Sequence, residues 1–129
     1  MTRKKLERYG VTLNNSITYD EVEGVNQFPD GTHAFFCTNW ADLAVKKFGG
    51  QRAGFMHEDN PTATVAEDSD GHDFALIGDF LVDYWIKFFE GTSEQCVFDL
   101  TDPTDKVKVD ALYGDRAKWE LYEYETATK

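Results

Sequence analysis

A chain of 129 residues that is 41% hydrophobic and 15% aromatic carries enough apolar side chain for one buried core, which excludes general disorder and points to a single domain over residues 1–129. Thirteen Lys and Arg against 24 Asp and Glu give a formal net charge of −11, which repels phosphate backbones and anionic membrane surfaces, so nucleic acid is not expected as a bound ligand. No run approaches the roughly 20 apolar residues of a bilayer span, and the basic start MTRKKLERYG leads into no apolar stretch, so a soluble, cytoplasmic chain with Cys37 and Cys96 as free thiols is expected.

Residues 1–30 read as a loop-rich N-terminal arm: a short helical or frayed start, then SITYDEVEGVNQFPDGT, which mixes acidic residues with turn formers. Residues 34–48, AFFCTNWADLAVKKF, repeat apolar residues at helical spacing (Phe36, Trp40 and Leu43 or Ala44; Cys37, Ala41, Ala44 and Phe48) and stop at Gly49-Gly50, which predicts the main buried helix. Lys46 and Lys47 in its last turn suit the negative end of the helix dipole. RAGFMHED reads as a short strand, and NPTATVAEDSDG as an exposed acidic loop. HDFALI and FLVDYWIKFF are two β-rich runs joined at Gly78-Asp79, a hairpin signal, and CVFDL is a further strand. DPTDKVKVDALYG has a helix start at Asp102-Pro103 and a stop at Gly114, while KWELYEYE alternates in period two as a last strand. The order predicts an α+β fold, an antiparallel sheet packed on one main helix, in place of βαβ alternation. Trp40, Trp85, Phe88, Phe89 and Trp119 read as core.

Cys37 lies near the start of the predicted helix, where free backbone N–H groups and the positive dipole end favour a thiolate, the nucleophile of cysteine catalysis. The plainer reading is a small apolar core residue, and a helix beginning at Thr32 would place it mid-helix. His72 opens a predicted strand from which an imidazole can serve a thiol as general base and the leaving group as acid. A hairpin turning at Gly78-Asp79 pairs residues whose numbers add to about 157, which brings His72 opposite Tyr84 or Trp85 and so near Asp83. An aspartate there fixes the imidazole tautomer and stabilises its charged form. His33, four residues before Cys37, is the rival base on a continuous helix. His33, His57 and His72 all lie near carboxylates, yet their spacing fits no specific zinc pattern, and Glu67-Asp68-Ser69-Asp70 lacks the register of an EF-hand loop; no metal or other cofactor is expected. Cys96, in EQCVFDL, reads as a buried strand residue, and Tyr113-Gly114 as a helix stop.

CTNWADLAVKKFGGQRAGFMHED followed by GHDFALIGDFLVDYW resembles the core of transglutaminase-like proteins in the papain-like superfamily: a nucleophile cysteine, an amphipathic helix, a glycine stop, a strand, a histidine opening the next strand and an aspartate on its neighbour. The match covers about residues 31–90. It implies a papain-like core and gives Cys37 the nucleophile role, His72 the base and Asp83 the orienting acid, for acyl hydrolysis or transfer on a protein or small amide or thioester substrate. Phe35-Phe36 stand where the family often has a glycine and a small or aromatic residue, and Tyr84 stands where a proline often follows the aspartate. Gln27 is the upstream side chain that would complete an oxyanion hole. The alternative is a non-enzymatic acidic interaction protein: a degenerate relative, an inhibitor or an immunity-type binder.

Overall fold

A computed structural model describes residues 1–65, 67 and 69–122. The first 30 residues are more ordered than their composition suggests. Helix α1 (Arg3–Ser16) is capped by the Thr2 side chain, which accepts the Lys5 N–H, and buries Leu6, Gly10 and Leu13. Strands β1 (Thr18–Asp20) and β2 (Val25–Gln27) then form a two-stranded hairpin whose tip is closed by the Asp20 carboxylate accepting the Val22 and Glu23 N–H groups. Phe28 returns the chain to the core, edge-on to Trp40.

Helix α2 runs Cys37–Phe48, three residues shorter at its start than the hydrophobic spacing suggests. Its own first turns hold the preceding segment out of the helix: Asn39 donates its side-chain amide to the His33 carbonyl, and the Trp40 indole donates to the Ala34 carbonyl. Phe36 is therefore extended and Cys37 is the first helical residue. Glycine at position 49, with positive φ, ends the helix.

The main sheet has five strands in the order β6-β5-β4-β3-β7, every neighbouring pair antiparallel. These are β3 (Gln51–Met56), β4 (Gly71–Ile77), β5 (Phe80–Val82), β6 (Val97–Asp99) and β7 (Glu120–Tyr122). The fold is α+β, with α2 packed on the central strand β4. The hairpin register matches the count across Gly78-Asp79: Ile77 pairs Phe80, Leu76 pairs Leu81 and Ala75 pairs Val82. Beyond Val82 the expected strand stops. Tyr84–Phe88 is helix α3, so Asp83 is a strand-to-helix junction and not a ladder residue, and its N–H is taken by the Cys96 carbonyl. Helix α4 (Pro103–Tyr113) has the expected Asp102 cap and Gly114 stop, and a 3₁₀ turn at Arg116–Lys118 leads into β7. The remainder of KWELYEYE after Tyr122 lies outside the described residues, as does Asp68 of the acidic run.

Both faces of β4 are covered. Phe74 meets the Tyr113 and Trp119 rings on one side, while Ala75 and Ile77 are buried on the face shared with Asp73, whose carboxylate Thr38 of α2 reaches. Of the aromatics read as core, Trp40 and Trp85 are buried and Phe88 and Trp119 partly so, but Phe89 is exposed because α3 ends at Phe88. Among the described residues no helix is long and apolar enough to cross a membrane.

Candidate active site

The departure of β5 into α3 leaves β4 without a partner opposite Asp73 on that edge. The slot is filled by the start of α2: the Asp73 N–H, which a longer β5 would have engaged, donates to Cys37 Sγ at 3.3 Å. Thr38 Oγ1 donates to the Asp73 carboxylate at 2.5 Å, and Arg52 Nη1 does so at 2.8 Å, so the residue that touches the sulfur through its backbone is held by its side chain from two elements. Gly54 on β3 makes room for that carboxylate, since a Cβ there would stand 2.2 Å from Asp73 Oδ1.

His72, adjacent on β4, is buried with its side chain fully covered. Its Nε2 lies 2.6 Å from Asp83 Oδ2, and the Tyr113 hydroxyl donates to the same oxygen at 2.8 Å. Burial works against a charged imidazole, but the Asp83 carboxylate outweighs it by charge and hydrogen bond and the neighbouring Cys37 adds to the effect, raising the His72 pKa to about 10. Burial, then the carboxylate, pushes the Tyr113 phenol well above its ordinary range, so it remains a neutral donor. With Nε2 committed to Asp83, Nδ1 is left as the exchangeable position. It is buried and has no hydrogen-bond partner among the described residues; Cys37 stands close enough to bias the ring's charge without making a well-aligned bond to it.

Cys37, Thr38, Arg52, His72, Asp73 and Tyr122 line an open cleft of about 360 Å³. Arg52 also pairs with Asp42 at 3.1 Å and lies over the Tyr122 ring. The helix start in this cleft has no side-chain cap, because the N-cap residue is Phe36; the Asn39 N–H bonds the Phe36 carbonyl at 3.1 Å, and those of Cys37 and Thr38 have no side-chain partner among the described residues.

The structure thus brings Cys37, His72 and Asp83 together. His33 is not part of the group: its Nε2 pairs with Glu23 at 3.0 Å, in the loop that never joins the helix. Gln27 is also elsewhere, its amide donating to Asp20 at 3.2 Å on the small hairpin. Cys96 is buried, which pushes its thiol up to about 12. His57 is occupied by the Ala63 carbonyl, and no cluster of three or more metal-binding side chains occurs among the described residues. Sequence reasoning missed Tyr113, Thr38, Arg52 and Asp73. Only Asp73 carried a signal, as a second aspartate beside His72; the others come from elements whose docking the spacing does not encode.

No protein-family model, curated protein or solved structure matches the chain. The functional reading therefore rests on the geometry of this cleft.

Proposed function

We propose that the chain is a cysteine-dependent acyl hydrolase or acyltransferase acting on an amide or thioester, with the transglutaminase-like, papain-like resemblance as part of that reading. The observation that carries it is a buried imidazole, fixed at Nε2 by a carboxylate and unpartnered at Nδ1 among the described residues, on a residue that borders the same cleft as a cysteine at a helix N-terminus. A core histidine satisfied for structural reasons alone would have both nitrogens bonded.

In this mechanism the pair reacts as Cys37 thiolate and His72 imidazolium, the thiol proton having already moved to Nδ1, and Sγ attacks the substrate carbonyl carbon as the C=O π pair moves onto oxygen. Asp83, steadied by Tyr113, holds the tautomer and stabilises the resulting imidazolium. The uncapped backbone N–H of Cys37 supports the tetrahedral oxyanion. The carbon–leaving-group bond then breaks, Nδ1–H protonates the departing amine or thiolate, and an S-acyl enzyme remains. Water or another nucleophile, deprotonated at Nδ1, releases the acyl group and regenerates the thiol. A reducing, cytoplasmic setting is part of the proposal, supported by two unpaired cysteines.

The test is a panel of small thioesters and anilides with wild-type, Cys37→Ala and Cys96→Ala chains. Turnover that falls by about 10³-fold or more with Cys37→Ala and persists with Cys96→Ala is expected. Iodoacetamide should label Cys37 and spare the buried Cys96. Equal, sluggish labelling at both thiols with no turnover would favour the second reading, an acidic interaction protein, which draws on the net charge of −11.

A further inference from the structure

The segment that delivers Cys37 breaks two local rules at once. Phe36 occupies the N-cap of α2, where Ser, Thr, Asp or Asn would bond a free N–H, and it makes no such bond. It is also 52% exposed, beside Phe35 at 62%. Phe89, exposed at 43%, completes a cluster: Phe35 meets Phe36 and Phe89 edge to face at centroid distances of 5.3 and 5.2 Å. Three large apolar rings gathered on the surface at a position that forgoes a helix cap indicate use by a ligand.

The three rings do not line the cleft itself but are tied to residues that do. Phe89 stacks on Trp85 at 5.5 Å, Trp85 lies 5.2 Å from the His72 ring, and the Trp85 indole donates to the Phe35 carbonyl at 2.8 Å. Phe36 is covalently next to Cys37. The ledge is therefore tied to the base through Trp85 and to the nucleophile through the backbone. The cleft differs in character from the cluster, with Arg52 paired to the carboxylates of Asp42 and Asp73.

Resting on the acyl-transfer reading, we infer that Phe35, Phe36 and Phe89 form the acyl-side subsite, which takes an aromatic or long aliphatic group attached to the carbonyl that Cys37 attacks. An apolar group beside the carbonyl covers the rings and presents the carbonyl carbon to Sγ.

The experiment compares the rate at which Cys37 is alkylated by iodoacetamide and by its N-phenethyl analogue, which needs no turnover. Wild type should react with the apolar reagent on the order of tenfold faster once intrinsic reactivity is normalised against a free thiol. Phe35→Ser and Phe89→Ser should lose that preference while the iodoacetamide rate stays unchanged, and if turnover is found, long-chain thioesters should lose kcat/KM to acetyl thioesters in the same variants. Absence of turnover with the labelling preference intact sinks the acyl-transfer reading and leaves the apolar subsite standing. Equal rates in wild type, or a preference that survives both substitutions, overturn the subsite. So does a wild-type chain that sediments as a dimer and becomes monomeric in both variants, since the rings would then belong to a contact between copies.

Discussion

At the scale of single residues, the imidazole of His72 is governed by Asp83. Burial alone would hold it below its ordinary 6.5, and the carboxylate reverses the sign to reach about 10. Asp83→Asn removes the charge while keeping an acceptor, so the His72 titration followed by NMR should move from about 10 to below 6.5; a titration that stays alkaline would mean another group charges the ring. Tyr113→Phe takes away one donor to a buried carboxylate and should lower stability by roughly 1.5–3 kcal/mol by urea titration, the range for hydrogen bonds to charged groups. A change below about 0.5 kcal/mol would show that the hydroxyl bond contributes little. Tyr113 had only a helix-stop signature in the sequence, because its hydroxyl meets Asp83 through the docking of α4, 30 residues downstream. His72 and Asp83 were legible for the opposite reason: they are linked by one hairpin whose turn chemistry sets the register.

At the scale of elements, local signals held and their continuation failed. FLVDYWIKFF is β-forming throughout, yet only Phe80–Val82 is strand; burial of Tyr84, Trp85 and Ile86 turns the rest into α3, a tertiary effect that propensity cannot anticipate. That turn also vacates the edge of β4 on which Cys37 sits. In α1 the glycine at position 10 marks a close approach: an added Cβ would lie 2.5 Å from the Tyr84 ring, which is itself pinned by its hydroxyl donating to the Leu6 carbonyl at 2.5 Å. Helix propensity alone says that Gly10→Ala gains about 0.8–1 kcal/mol. Overpacking a fixed ring costs about 1–3 kcal/mol, so the substitution should destabilise, and a raised Tm would refute the contact between α1 and α3. Because α3 begins one residue after Asp83, the same variant should also disturb the His72 resonances.

Over the whole molecule, the buried imidazolium couples folding to pH. A base whose folded pKa is raised contributes fully below its unfolded value of 6.5 and loses that contribution as pH climbs towards about 10. Stability in urea should therefore decline from pH 7 to 8, a window below the range in which the buried Cys96, Tyr84 and Tyr113, all raised, take effect. In Asp83→Asn this part of the slope should vanish; an unchanged slope would assign it to other groups. The net charge of −11 and the acidic surface were plain in the sequence, but the fastening of α1 to the rest, through Arg3 on Asp105 and Tyr84 on Leu6, was not, since each bond joins residues far apart in the chain. The position of Tyr113 has one further consequence, for the chain during its synthesis. On the ribosome, cysteine, histidine and aspartate are all made before α4, so a nascent chain carries Asp83 without the hydroxyl that steadies it, and the buried charge pair is completed only after α4 has been made and docked.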